Sequence, residues 1–123
     1  MMTKAEQRER ANRVAEAALD KKAVDLVALD VSELTSYADT FVIATGTSDR
    51  HTRSIVDAIR EAVALQGEKP LGVEGYDEGR WVLMDLGDVI VHVFQAEVRA
   101  AYDLERLWSD ASSLELSALR ATA

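Results

Sequence analysis

Cysteine is absent from the 123 residues, and that one absence removes disulfides, thiolate catalysis and zinc–thiolate sites together. It agrees with a cytoplasmic protein. Two histidines without a cysteine make a poor donor set for a transition metal. No apolar run approaches the ~20 residues of a membrane span, and the opening MMTKAEQRER is too polar and charged for a secretory signal. Basic charge is also scarce: 14 Lys plus Arg stand against 22 Asp plus Glu, a formal net charge of -8. Such a surface repels phosphate backbones, so direct nucleic-acid binding is not expected and a basic protein partner is favoured. What is present is an ordinary globular composition, 48% hydrophobic and 29% charged. At this length it is read as one domain that buries roughly two thirds of its unfolded surface.

The most informative stretch is RWVLMDLGDVIVHVFQAEVRAAYDLERLW, Arg80 to Trp108, which reads as strand, hairpin, strand, helix. Gly87-Asp88 is a two-residue turn signal with glycine at the first central position. A turn that tight sets the register. Leu86 faces Val89, Asp85 faces Ile90, Met84 faces Val91, Leu83 faces His92, Val82 faces Val93 and Trp81 faces Phe94. Val82, Met84, Leu86, Val89, Val91 and Val93 then share a purely aliphatic side that belongs on the core. The other side mixes Trp81, Leu83, Ile90 and Phe94 with Asp85 and His92, and it needs a cover: a helix of this chain, a second copy or another protein.

Elsewhere the pattern yields elements in the order α-β-β-α-β-β-β-α. Thr3 to Glu6 fits a capping box, opening a thin, alanine-rich helix to about Lys21 that is expected against an edge of the sheet. Ala23 to Val31 reads as a strand, Ser32 to Asp39 as a polar connection, and TFVIAT from Thr40 as a central strand covered on both faces. Ser48 or Thr47 caps a second helix whose face is Ile55, Val56, Ile59, Ala62 and Val63, ending at Gly67. Leu71 to Gly75, LGVEG, is a weak edge strand, followed by a turn to Gly79. The last helix is apolar on two faces, Val98, Ala101 and Tyr102 on one and Leu104, Leu107 and Trp108 on another. The fold class is α/β (α+β), a mixed sheet of about five strands with flanking helices. Residues 1–110 form the domain, and 111–123 are expected to be loosely ordered.

Candidate chemistry is thin. Gly46-Thr47-Ser48 before a helix could offer backbone N–H groups to a phosphate, which leaves a small nucleotide- or phosphate-handling enzyme as the rival reading. Nucleotidyltransferases of that kind also need two or three convergent carboxylates for magnesium. The close pair here, Asp85 and Asp88, sits on a strand and in a turn. Ser48 and His51 lack an orienting third group, and capping accounts for Ser48. Asp85 and His92 lie diagonal in the inferred register, within reach of a hydrogen bond.

The segments Tyr37-Ala38-Asp39-Thr40-Phe41-Val42-Ile43-Ala44-Thr45-Gly46, Gly72-Val73-Glu74-Gly75, Gly79 to Phe94, and Arg99, Tyr102 and Leu104 to Asp110 together resemble the ribosomal silencing factor family, also called Iojap-related proteins. The resemblance implies a nucleotidyltransferase-like sheet without catalytic carboxylates and a protein that is not an enzyme and needs no cofactor. It implies binding to the large ribosomal subunit through protein uL14, a block to joining of the small subunit, and repression of translation under nutrient limitation. It further implies self-association as a homodimer. Partner binding is expected at Trp81, Leu83, Asp85, His92, Phe94, Arg99, Tyr102, Asp103, Leu107 and Trp108. Ala101 departs from the family pattern, which carries a bulky apolar residue before the tyrosine.

Overall fold

The computed structural model describes residues 2–121. Its centre is β2 (Thr40–Gly46), buried along its whole length. A continuous apolar run has no wet side, so β2 needs strands at both edges and helices on both faces. It pairs antiparallel with β1 (Val24–Asp30) and parallel with β5 (Val89–Gln95). β5 pairs with β4 (Trp81–Asp85), and β4 with the edge strand β3 (Gly72–Glu74). The hairpin register is the one the Gly87-Asp88 turn imposes, Trp81 opposite Phe94 through Asp85 opposite Ile90. Gly87 supplies φ 89°, and Leu86 N donates to Val89 O at 2.9 Å to close the turn.

Two helices cover one face. Helix α1 (Lys4–Asp20) starts at the Thr3 capping box, with Thr3 and Glu6 bonding reciprocally. The alanine-rich stripe does not lie at an edge of the sheet: Ala11, Ala15 and Ala18 are fully buried within the main core, where α1 packs on α2 (Asp49–Ala64) and reaches β2. Small side chains serve close approach here, which a thin stripe read alone does not reveal. Arg10 locks the layer in place. Its guanidinium donates to Asp88 in the hairpin turn, to Glu68 after α2, and to Leu86 O. Ser48 caps α2 by accepting from His51 N at 3.0 Å, and Ile55, Val56, Ile59 and Val63 face the aliphatic side of the hairpin.

The other face is covered by α3 (Ala96–Tyr102) and the single turn α4 (Leu104–Leu107). The one long helix expected from Val98 to Trp108 is broken at Asp103, which takes a left-handed conformation (φ 48°, ψ 54°). Aspartate tolerates that region better than most residues, and the break lets both apolar faces of the segment turn to the same sheet.

A sixth strand completes the order β3-β4-β5-β2-β1-β6. It comes from the segment expected to be loosely ordered. β6 (Ser112–Ser113) pairs with Leu29 and Asp30, Leu114 N donates to Ala28 O at 2.8 Å, and α5 (Ser117–Ala121) lies against α1. Leu116 and Ala118 are buried there, and Ala118 N donates to Asn12 Oδ1 at 2.8 Å. Two apolar anchors and backbone pairing hold a segment that has no capping signal of its own. Residues 122–123 lie outside the described residues. None of the described helices is long and apolar enough to cross a membrane.

Candidate functional site: a half-covered aromatic face

On strands β2, β4 and β5 every second residue points away from α1 and α2, and these residues meet in a second, aromatic cluster. Phe94 stacks on Trp81 with ring centroids 4.9 Å apart. The Tyr102 ring lies against Trp81, 4.6 Å away and tilted by 49°. Phe41 meets Trp108 edge-on at 4.9 Å and His92 at 5.4 Å. The approach to Trp81 depends on the turn before it. Gly75 sits at φ 79°, and a Cβ there would lie 2.2 Å from Trp81 O, so only glycine lets the chain double back so closely.

His92 is the polar residue at the centre of this face. It is 5% exposed, and its Nδ1 accepts a 3.1 Å hydrogen bond from Trp81 Nε1, which fixes the indole plane. Nε2 has no hydrogen-bond partner among the described residues. Burial lowers the imidazole pKa to about 4, so the ring is neutral near pH 7. The pairing of Asp85 with His92 expected from the register does not form. Asp85 Oδ1 instead accepts from Gly87 N at 2.8 Å, because an aspartate two residues ahead of a turn amide satisfies it locally.

The expected partner-binding residues divide by exposure. Phe94 and His92 are buried within this chain, as is Ile90, and serve as a floor. Trp81, Leu83 and Trp108 are half-buried, each with one side on the cluster. Arg99, one of the expected partner-binding residues, is occupied inside the chain. It donates to Glu105 Oε1 at 2.9 Å, Asp25 O at 2.7 Å and Thr45 Oγ1 at 2.9 Å, pinning α3 and α4 to β1 and β2. Tyr102 (59% exposed), Leu107 (74% exposed) and Asp103 stand outward. Tyr37 was missed: it is exposed beside Phe41, with ring centroids 6.3 Å apart. Its signal was its place four residues before Phe41, at the mouth of a strand that begins on this face. Glu78, Arg80 and Glu97 were missed too. They surround an open cleft of about 350 Å³ whose walls include Trp81, Val98 and Tyr102.

The rival phosphate site is filled by the chain itself. Thr47 N donates to His51 Nδ1 at 2.8 Å, His51 N to Ser48 Oγ, and Arg50 N to Asp49 Oδ1 at 2.8 Å. His51 Nε2 is 2.6 Å from Lys21 O, so with Nδ1 accepting from an amide, Nε2 carries the proton. Asp85 and Asp88 are spent on Gly87 and Arg10 and do not converge.

The family model described as "Ribosomal silencing factor during starvation" (RsfS) matches residues 4–123. A ribosomal silencing factor from Halalkalibacterium halodurans is 44% identical over 97 residues, covering 79% of this chain and 83% of that one. A mouse relative, "Mitochondrial assembly of ribosomal large subunit protein 1", is 30% identical over 92 residues, 72% of this chain and 40% of its own length. Among solved structures, one from Chromobacterium violaceum superposes with a TM-score of 0.79 at 35% identity, covering 89% of this chain and 92% of that one. A match to nearly the whole chain and close relatives over most of their length place this chain in the ribosomal silencing factor (RsfS) family.

Proposed function

We propose that this protein is a non-enzymatic regulator of translation that binds the large ribosomal subunit through protein uL14 and blocks joining of the small subunit when nutrients are scarce. Family membership supports the ribosomal setting. The observation that carries the docking surface is the aromatic face, where Trp81 and Trp108 are only half-buried and Tyr102 and Leu107 stand largely in solvent. Aromatic residues held rigid from beneath and open above are the usual anchors of an interface centre. Asp103 and Asp85 add negative charge to a chain of net charge -8, which suits a basic protein surface. In the free protein the same outward residues would join two copies, so partner binding and self-association compete. Sedimentation with purified large subunits and with isolated uL14, followed by addition of small subunits, tests the reading. Co-sedimentation with loss of subunit joining is expected; joining at an unchanged rate with the factor bound would contradict it. A light-scattering dilution series should show dimers that dissociate as uL14 is added.

A further inference from the structure

The cleft beside Trp81 has a composition of its own. One wall is the Trp81–Tyr102 ring pair, 4.6 Å apart and tilted by 49°, with Val98 behind it. Glu78, from the turn before β4, and Glu97, from the first turn of α3, stand on its rim and are both exposed. Neither carboxylate has a hydrogen bond or ion pair among the described residues, in contrast to Glu6, Glu68 and Glu105, which do. Arg80 is the one cation among the described residues that line the cleft, so these three charges leave it net negative by one.

We propose that this cleft receives a single cationic side chain, arginine or lysine, from a basic protein partner, a subsite that rests on the ribosomal reading above and specifies its chemistry. Two unpaired carboxylates attract the charge, while the faces of Trp81 and Tyr102 pack against its apolar stem and headgroup. A cation over tryptophan within about 6 Å is stabilised by the ring quadrupole, and the nearby carboxylates add direct hydrogen bonds. Three features select this occupant. The cleft has aromatic walls, which a phosphate does not need; its free charges are acidic; and it is continuous with the outward face of Trp81 on which the proposed docking surface is centred. Arg80 sets a limit on affinity, because it repels the incoming charge and competes for the same carboxylates.

The test uses the full chain and three variants, Glu78→Gln with Glu97→Gln, Arg80→Gln, and all three together. Binding to purified large subunits is measured at two salt concentrations, and the Trp81 indole N–H resonance is followed during titration with N-acetyl-arginine amide. The double Glu→Gln variant should bind large subunits about tenfold more weakly or worse, with a shallower salt dependence. Arg80→Gln should bind more tightly. The arginine amide should shift the Trp81 resonance in the wild type and not in the double variant. Wild-type affinity in the double variant overturns the proposal, and so does tighter binding, which would mean that the cleft faces phosphate. If wild-type protein fails to bind large subunits, the regulator reading falls, but the arginine amide titration still decides whether the cleft takes a cation.

Discussion

The two faces of the one sheet are closed by different means. On the aliphatic face, helices of 17 and 16 residues bury Val82, Met84, Val91 and Val93 without exposing an edge. On the aromatic face, helices of 7 and 4 residues, separated by the left-handed Asp103, leave Trp81, Leu83, Leu104 and Trp108 only partly covered. A long amphipathic helix removes apolar area from water along its whole length. Two short helices pinned by Arg99 cover the middle of a face and leave its rim open. The first arrangement serves stability, and the second keeps large rigid side chains at the surface at some cost in unburied area. The division of labour can be broken from either side.

The largest effect is expected on the sealed face. Ile59 is fully buried between α2 and the sheet. Ile59→Ala should lower unfolding free energy by about 2–5 kcal/mol, read by urea denaturation, with the affinity of the remaining folded protein for large subunits unchanged.

A slightly smaller effect separates floor from rim on the aromatic face. The pKa of His92 is lowered by burial to about 4 from an ordinary 6.5. Between those values the unfolded chain takes up a proton that the folded chain refuses. This contribution to stability is therefore complete above pH 6.5 and declines as pH falls towards 4, by on the order of 2–3 kcal/mol. His92→Gln cannot titrate. Urea denaturation at pH 7 and pH 4.5 should show wild type losing more stability than the variant by about that amount; equal losses would mean that the ring is protonated in place.

Much of this arrangement is legible in the sequence, for a physical reason. A two-residue turn with a glycine determines register, register determines parity, and parity separates Val82, Met84 and Val91 from Trp81, Leu83 and His92. Capping at Thr3 and Ser48 is equally local. The resemblance carried by Tyr37 to Gly46 and by Gly72 to Asp110 led to the family. What stayed hidden depends on contacts between distant segments. Nothing local says that Arg99 will reach Asp25 O, 74 positions earlier in the chain. The break at Asp103 and the seating of Leu116 against α1 are likewise decided by tertiary packing. Phe94 and His92 read as interface residues because their own chain's cover, α3 and α4, is too short to be recognised as sufficient. Trp81 and Trp108 are half core, which makes them poor probes of binding alone.

The cleanest separation uses residues whose side chains are mostly in solvent. Tyr102→Ala and Leu107→Ala change exposed side chains on the aromatic face, and Leu65→Ala changes an exposed leucine (86%) at the end of α2, away from that face. Affinity for purified large subunits and thermal midpoint should be measured together for all three. Both aromatic-face variants should lose about 2 kcal/mol of binding with midpoints close to wild type, while Leu65→Ala should match wild type in both measurements. Wild-type binding by the Tyr102 and Leu107 variants, or lost binding by Leu65→Ala alone, would contradict the assignment of partner recognition to the half-covered face.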